Sequence, residues 1–581
     1  MIRFSLLFLS LSFQDVFSFT ATSRKGGFPL LRSQVDDHTT TTKKTTTINE
    51  NEGGRYDKLL KELNLDLPAL AKLPKKHTIT PFDVFCNREL KLEGIQAIGF
   101  DMDYTLAQYN ETTFAELAFD GAKRKLVESL GYPEEVLDFT YDPAHWVRGL
   151  IIDTQRGNFL KIDRHKYVRV ARHGFEVISS TTRKHLYSRQ FNKVMSFTEK
   201  QFVNMDTLFQ FVDAHLFASL IEMKDKGDYE ELDYKTYEEI YRQVRECVDL
   251  CHRDGVIKDQ VHLNPEPYVI FDKGMVPMLR RFRQEGIKLF LLTNSLWEYT
   301  STVMNFLYHG ERVSDERQKE NEWMELFDLV ITGACKPAYM VDSHLNLFRV
   351  DPSTGTLRNT DGVYEIEALG PNGATKFLQK GKTFQGGNWL HLQAMLEIEA
   401  GEEILYVGDH LYSDVLRSKR TLGWRSAFIM PELEDEMKTF AANAPLARQI
   451  IELRKLREEL GVLGEALRRQ ADNPQKEQEL NHLIDQDNVL KEKLIEMTSR
   501  WHAAFHPIWG AMFHAGYQDS RFAFYVQNYA CVYTSRASNL GLWSKQRSFR
   551  TSMEMLSHDR LLFATDHTDF SEVDPWADIA E

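Results

Sequence analysis

The stretch GFDMDYTLAQY, Gly99 to Tyr109, decides the fold of this chain. The apolar run Ile95 to Phe100 leads into it and is typical of a strand buried on both faces of a parallel sheet. Two carboxylates, Asp101 and Asp103, follow at once. Because ligands bind where the strands of an open α/β sheet end, the stretch predicts an α/β protein with a site at this strand end.

Three further stretches repeat the pattern of an apolar strand followed by polar side chains. They are FLLTNS (290–295), TGACKPAYM (332–340) and LYVGDHLYSD (405–414), and they extend the apolar runs 287–292, 326–332 and 404–407. The polar residues of the four stretches are Asp101, Asp103, Thr293, Asn294, Ser295, Lys336, Asp409 and Asp414. Since parallel strands end at one edge of a sheet, these residues predict a single phosphoryl-transfer site.

A phosphate monoester repels nucleophiles, so its hydrolysis needs a placed nucleophile and neutralising cations. Asp101 can attack phosphorus, and Asp103, on the same side of an extended strand end, can protonate the leaving alkoxide and later activate water. Mg²⁺ prefers hard oxygen ligands, which Asp101, Asp409 and Asp414 offer. We therefore expect Mg²⁺ as the cofactor.

The other polar residues are suited to holding phosphate. Thr293 and Asn294 follow a strand, where a hydroxyl and backbone N–H groups can bind phosphate oxygens. Lys336 offers a positive charge. Each motif alone is also explained by an ordinary turn or helix cap. Their order, each after its own strand, favours a catalytic site.

Composition limits the classes of function. The chain has 581 residues, which predicts two or three domains, and a formal net charge of −14, which argues against a nucleic-acid-binding surface. Its five cysteines lack a CxxC pair, so neither a disulfide framework nor a zinc site is expected. The apolar N-terminal run, residues 4–13, is too short for a stable membrane span.

Residues 1–52 read as a targeting or disordered segment. The apolar run and a following stretch rich in Ser, Thr, Arg and Lys, residues 20–32, resemble the signal and transit peptides of algal plastid proteins. A disordered tail on a cytoplasmic enzyme is the alternative. Both localisations stay open.

The spacing of the motifs predicts an inserted lobe. Asp103 and Thr293 lie much further apart than one crossover needs, so we assign residues 53–109 and 265–440 to a catalytic core and 110–264 to an α+β cap. Leucines at helical spacing between Leu446 and Leu494 predict a helical hairpin within a C-terminal region, 441–581. We expect it to pack on the core. An intermolecular coiled coil and a homo-oligomer are alternatives.

The ordered motifs resemble the haloacid dehalogenase superfamily. More narrowly, GDHLYSDVLRSKR (408–420), the cap stretch RGLIIDTQRGNFLKID (148–163) and the late stretch 510–540 look like the cytosolic purine 5′-nucleotidase family and its nucleotidase-domain-containing relatives. The resemblance implies a Rossmann-like parallel sheet, with Asp101 as nucleophile and Thr293 and Lys336 at the phosphate. It also implies that the backbone carbonyl of Asp103 joins Asp101, Asp409 and Asp414 at the metal.

The resemblance also implies a nucleotide site. In the cap stretch QVRECVDLCHRDG (243–255), Arg245, Asp249 and His252 share a helical face, and Lys258 follows. These residues match family positions that contact the nucleoside monophosphate, Phe175 matches the stacking aromatic, and Asn294 and Ser295 are assigned to substrate. Glu176 and Arg253 depart from the family, which has an amide and a tyrosine there.

The sequence therefore predicts a Mg²⁺-dependent 5′-nucleotidase that forms an aspartyl-phosphate on Asp101. Purine nucleotides are favoured, although Glu176 leaves base preference open. One alternative is a phosphatase of the same superfamily for another phosphomonoester. The other is a scaffold protein with a vestigial site.

Overall fold

A computed structural model describes residues 80–188, 196–360, 372–470 and 473–551. The predicted targeting segment, 1–52, lies outside these ranges. Within them, no helix combines the length and the apolarity that crossing a bilayer requires. The five cysteines are free thiols, as their spacing predicted.

The first part of the described chain holds short core strands and an inserted α+β segment. Its strands are β1 (Phe85–Cys86), β2 (Leu90–Lys91), β3 (Ala97–Phe100), β4 (Gln108–Tyr109), β5 (Ile151–Asp153), β6 (Asn158–Ile162), β7 (Val168–His173), β8 (Glu176–Val177) and β9 (Phe202–Asn204). Its helices are α1 (Glu111–Leu130), α2 (Ser180–Tyr187), α3 (Gln210–Lys226), α4 (Glu230–Asp233), α5 (Tyr237–Cys251) and α6 (Lys258–Leu263).

The second part alternates strands and helices and then forms a helical pair. Its strands are β10 (Val269–Ile270), β11 (Lys288–Leu292), β12 (Leu329–Thr332), β13 (Leu347–Val350), β14 (Leu357–Asn359), β15 (Thr383–Gly386), β16 (Ile404–Gly408), β17 (Arg425–Ile429), β18 (His514–Ala515), β19 (Gln518–Asp519), β20 (Val532–Thr534) and β21 (Ser548–Phe549). Its helices are α7 (Met275–Gln284), α8 (Trp297–His309), α9 (Asp315–Gln318), α10 (Gly373–Leu378), α11 (Trp389–Leu396), α12 (Arg417–Leu422), α13 (Leu433–Ala442), α14 (Ala444–Arg468), α15 (Pro474–Phe505) and α16 (Arg521–Tyr529).

A ten-stranded sheet, in the order β1-β20-β17-β16-β3-β11-β12-β15-β13-β14, forms the core. Its central strands run parallel, whereas β1 at one edge and the β13–β14 hairpin at the other run antiparallel to their neighbours. The prediction of an α/β fold with a parallel core sheet is confirmed.

The register of the sheet brings the predicted strand ends to one edge. Phe100 pairs with Leu291 on one side and with Val407 on the other, so the residues after β3, β11 and β16 emerge side by side. Phe100 and Leu291 pack into one apolar cluster, while Phe290 and Leu292 pack into a second. Apolar residues on both faces of these strands are required because helices and loops cover both sides of the sheet.

The inserted segment carries its own sheet. Strands β8-β7-β6-β5-β9 form an antiparallel sheet, and α1, α3 and α5 bury apolar side chains beside it. The chain divides into two units, Met1–Thr80 and Pro81–Glu581, and all the elements above lie in the second. The boundaries that the sequence suggests for core, cap and C-terminal region stay predictions.

Helices α14 and α15 form the predicted hairpin, with 25 and 32 residues. At its base Ile450, Trp501 and Ala511 form a small apolar cluster. Further along, apolar side chains such as Val462 and Val489 are 64% and 66% exposed. Gly464 and Leu467, near the far end of α14, are buried as well, so the packing of the hairpin is not confined to its base.

A buried lysine ties the inserted segment to the C-terminal region. Lys161 of β6 donates hydrogen bonds through Nζ to the carbonyl oxygens of Trp509, at 2.6 Å, and Ala511, at 2.5 Å. Burial lowers the pKa of Lys161 to about 7, although Glu436 opposes the shift. Burial also raises the pKa of Glu436 to about 7. The tie therefore holds a titratable pair.

This tie predicts a pH-dependent stability above neutrality. Because the folded-state pKa of Lys161 is depressed from 10.5 to about 7, the unfolded chain keeps a proton there that the folded chain loses, and rising pH favours folding. The folded-state pKa of Glu436 is raised from 4.5 to about 7, so its stabilising contribution is lost as pH rises through about 7. Glu436 therefore affects stability mainly below the range of pH 7 to 9. Between pH 7 and 9, the unfolding free energy of wild type relative to Lys161→Met should grow by about 2 kcal/mol.

Urea unfolding at the two pH values measures this difference. The exposed lysine variant Lys91→Met serves as the control, and its difference from wild type should stay flat. A pH-independent difference for Lys161→Met would contradict the shifted pKa.

Candidate active site

Three carboxylates meet at the end of the parallel strands. Asp101, after β3, and Asp409 and Asp414, after β16, are buried, and each offers an oxygen within 4.8 Å of the others. Gly408 permits this approach, because a Cβ at that position would lie 2.5 Å from the carboxylate of Asp414. The backbone N–H of His410 donates to Asp414 Oδ2 at 3.2 Å and holds it.

Lys336 lies between two of these carboxylates. Its Nζ is 2.8 Å from Asp101 Oδ2 and 2.9 Å from Asp414 Oδ1, and it donates to the Tyr406 hydroxyl at 3.0 Å. Tyr406 donates in turn to the carbonyl of Leu292 at 2.8 Å. Burial alone would lower the pKa of Lys336, but Asp101 and Asp414 raise it well above its usual value. The two carboxylates therefore favour the charged form of the ammonium.

The backbone of Lys336 is held by the loop after β11. Asn294 accepts the Lys336 N–H through Oδ1 at 2.7 Å and donates through Nδ2 to its carbonyl at 3.2 Å. The amide that the sequence assigned to substrate is thus engaged in placing the lysine.

Asp103 is directed at hydroxyl groups. Tyr109 donates to its Oδ1 at 2.5 Å, and Ser295 and Thr293 donate to its Oδ2 at 2.8 and 3.4 Å. Tyr299 donates to the Tyr109 hydroxyl at 3.2 Å. Burial raises the pKa of Asp103, and the hydroxyl groups offset part of the rise. A carboxyl with a raised pKa is suited to giving and taking a proton.

The cluster holds three carboxylates, and Lys336 pairs with two of them. Burial, followed by the charges of Asp414 and Asp103, raises the pKa of Asp101 to about 7 against the opposing effect of Lys336. Burial and Asp101 raise the pKa of Asp409 well above its usual value. A second cation would relieve this crowding, and an all-carboxylate set fits a hard divalent ion such as Mg²⁺.

The charged residues on α5 form a second cluster. Arg245 binds Asp213 Oδ2 through Nη1 at 2.5 Å and Asp249 Oδ1 through Nη2 at 2.8 Å. Burial, then the charges of Arg245 and Lys258, lowers the pKa of His252 to about 4, so its ring is neutral at pH 7. Asp213 is fully buried on α3, and sequence analysis missed it because its neighbours Val212 and Ala214 are apolar and no motif marks it.

Aromatic rings join this cluster to the carboxylates. The His252 ring lies 5.5 Å from that of Phe209, which lies 4.7 Å from Tyr104, the neighbour of Asp103. Phe175 packs among a further group of rings. Its ring contacts in the described part of the chain are with His145, Trp146 and His215, while Glu176 beside it is exposed.

Sequence reasoning also missed three side chains that hold the site. Tyr109 ends the opening motif and Tyr406 precedes Gly408, so each stood in a quoted stretch, but nothing local says where a phenol points. Arg148 opens a quoted cap stretch, and its contacts come from remote segments.

Comparison with known proteins gives one family. A model of the 5′ nucleotidase family matches residues 84–561. Two relatives carry the name 5′-nucleotidase domain-containing protein 2. The protein of Rattus norvegicus is 28% identical over 365 residues, which cover 62% of this chain and 61% of the rat protein. The protein of Homo sapiens is 27% identical over 365 residues, which cover 62% of this chain and 65% of the human protein. The match thus spans about three fifths of the length of these relatives.

Among solved structures, CbbY from Rhodobacter sphaeroides in complex with phosphate matches with a TM-score of 0.20 and 14% identity. That match covers 58% of this chain and 86% of the CbbY chain.

The lysine between the carboxylates predicts a coupled loss of stability. Lys336→Met should lower the free energy of unfolding by about 3 kcal/mol in EDTA, because Asp101 and Asp414 lose their buried partner. Adding Asp414→Asn should restore part of the lost free energy of unfolding, since one of the two unpaired negative charges is then removed. Urea unfolding of the two single variants and the double variant measures the coupling. Strictly additive losses would contradict the interaction.

Proposed function

The chain belongs to the 5′-nucleotidase family, and we propose on this basis that it is a Mg²⁺-dependent phosphatase that hydrolyses nucleoside 5′-monophosphates to nucleoside and phosphate. The observation that carries this function is the buried cluster of Asp101, Asp409 and Asp414, in which Lys336 pairs with Asp101 and Asp414. Such a set combines a nucleophile, a cation and ligands for a second cation.

In the first step Asp101 attacks phosphorus. Its Oδ1 accepts the Met102 N–H at 2.8 Å and its Oδ2 faces Lys336, so the carboxylate is fixed at both oxygens. A bond forms between the aspartyl oxygen and phosphorus as the ester bond to the nucleoside 5′ oxygen breaks. Asp103 gives its proton to that oxygen, and the nucleoside leaves as an alcohol.

In the second step water hydrolyses the aspartyl-phosphate. Asp103, now a carboxylate, takes a proton from water as the water oxygen attacks phosphorus. The bond between phosphorus and Asp101 breaks, which releases inorganic phosphate and restores both residues. The three hydroxyl groups around Asp103 support this double role because they stabilise its charged form between the steps.

Charge neutralisation falls to two cations. Lys336 and the Thr293 hydroxyl are assigned to the phosphate oxygens, and Ser295 and Asn294 support them through Asp103 and the Lys336 backbone. Asp101, Asp409, Asp414 and the backbone carbonyl of Asp103 would hold Mg²⁺, which when bound offsets the charge of the phosphate.

The cap cluster is assigned to the nucleoside. Arg245, Asp249, His252 and Lys258 offer donors and acceptors for a base or ribose, and the neutral ring of His252 avoids repelling Arg245. Phe175 is assigned to stacking. Purine bases are favoured, and the acid Glu176 leaves room for a different choice of base.

Replacement of the nucleophile tests the chemistry. Asp101→Asn should reduce phosphate release from nucleoside monophosphates by at least about a thousandfold, because an amide cannot form the covalent intermediate. Steady-state phosphate release with Mg²⁺ measures the loss, and circular dichroism checks folding. Asp342→Asn, the same change at an exposed aspartate, is the control and should keep full activity. Substantial Mg²⁺-dependent turnover in Asp101→Asn would refute the assigned nucleophile.

Replacement of the cap arginine tests the substrate. Arg245→Met should raise KM for nucleoside monophosphates by about tenfold or more, as loss of a charge-assisted hydrogen bond implies. Turnover of p-nitrophenyl phosphate, which lacks a nucleoside, should stay near wild type. Arg242→Met removes an exposed arginine of the same helix and is the matched control. Equal losses on both substrates would argue against nucleoside recognition here.

A substrate screen separates the alternatives. Protein lacking residues 1–52 is assayed with Mg²⁺ against nucleoside monophosphates and sugar phosphates. Release from sugar phosphates alone would favour another phosphomonoester, and release from none would favour a scaffold, for which the exposed apolar end of the α14–α15 hairpin offers a surface.

A further inference from the structure

Arg148 is a buried cation that the catalytic steps above do not use. It stands just before β5, and its side chain has 0% exposure. A buried guanidinium is unstable without partners, because removing its hydration costs several kcal/mol. Its partners therefore indicate what it stabilises.

The partners of Arg148 come from beyond the cap. Its Nη1 donates to the carbonyl oxygen of Asp409 at 2.8 Å. Its Nε donates to Glu432 Oε1 at 2.9 Å, and Nη2 donates to Glu432 Oε2, which completes a two-pronged ion pair. The planar group also lies against the rings of Phe428 and Phe522, at 5.5 and 5.9 Å.

This geometry requires an arginine. Three N–H groups are used in fixed directions, whereas a lysine ammonium on its flexible stem could not bind both Glu432 oxygens and the Asp409 carbonyl in one plane. The next residue, Gly149, has a φ of +88°, and a Cβ there would lie 2.4 Å from Phe522. The chain is thus shaped to bring Arg148 this close.

The carbonyl that Arg148 holds belongs to one of the three clustered carboxylates. Asp409 follows Gly408 at the end of β16, and in the described part of the chain its Oδ2 accepts a long hydrogen bond of 3.4 Å from Thr207. Fixing the peptide of Asp409 fixes where its carboxylate stands. In other proteins, removing a group that hydrogen-bonds to a metal ligand and orients it typically weakens metal affinity by about 10–100-fold.

We propose that Arg148 is a positioning residue for Asp409 and that Glu432 holds Arg148 in place. The segment before β5 and the residue before α13 would then together fix the position of one ligand of the divalent-cation site. This inference rests on the proposed function insofar as Asp409 is a cation ligand. It adds two residues, Arg148 and its ion-pair partner Glu432, whose effect reaches the cation through the backbone carbonyl of Asp409.

The affinity for Mn²⁺ tests the proposal without relying on turnover. It is measured by electron paramagnetic resonance in the absence of substrate. Arg148→Met should weaken Mn²⁺ binding by about tenfold or more. Arg148→Lys, which keeps a donor for the Asp409 carbonyl, should weaken it less, and Glu432→Gln should also weaken it. Arg281→Met is the matched control, because Arg281 likewise donates to a carbonyl, that of Gly541, and to a glutamate, Glu285. Its Mn²⁺ affinity should equal that of wild type.

Circular dichroism establishes that each variant is folded, and Glu432→Gln decides the matter if Arg148→Met does not fold. Folded Arg148→Met and Glu432→Gln proteins with wild-type Mn²⁺ affinity would overturn the positioning role, whether or not wild type hydrolyses nucleotides. A wild type that releases no phosphate but binds Mn²⁺ in an Arg148-dependent manner would overturn the proposed function and support the positioning role.

Discussion

The crowding of negative charge at one sheet edge is the constraint on which the rest of the molecule depends. Asp101, Asp409 and Asp414 each offer an oxygen within 4.8 Å of the others, and the ammonium of Lys336 pairs with Asp101 and Asp414. Such an arrangement survives only if the surrounding structure supplies the energy to hold it. The buried strands β3 and β16, the close approach that Gly408 permits and the guanidinium of Arg148 at the Asp409 carbonyl supply that rigidity.

Much of this could be predicted from the sequence, because the signals are local. An apolar run that ends in a carboxylate marks a buried strand and its functional end together, and the strands before Asp101 and Asp409 appear where the pattern places them. The mixture of helices and strands in the inserted segment was predicted as well.

The remainder depends on contacts between distant segments, which no local pattern records. Asp213 stands between the apolar residues Val212 and Ala214, and no local pattern shows that α5 places Arg245 beside it. The hydrogen bonds between the Asn294 amide and the backbone of Lys336 join residues 42 positions apart, so no local pattern shows them. Leucine spacing predicts that α14 and α15 form a hairpin, but it does not show how much of their apolar surface stays exposed.

The tie between Lys161 and residues 509–511 has a consequence for how the protein is made. The two hydrogen-bond acceptors of Lys161 lie 348 and 350 residues further along the chain. At roughly 5–20 residues per second, the ribosome needs on the order of 20–70 s to reach them. Throughout that interval the nascent cap carries a lysine whose burial cannot be completed, so a chain interrupted before residue 509 leaves this face of the cap open to chaperones and proteases.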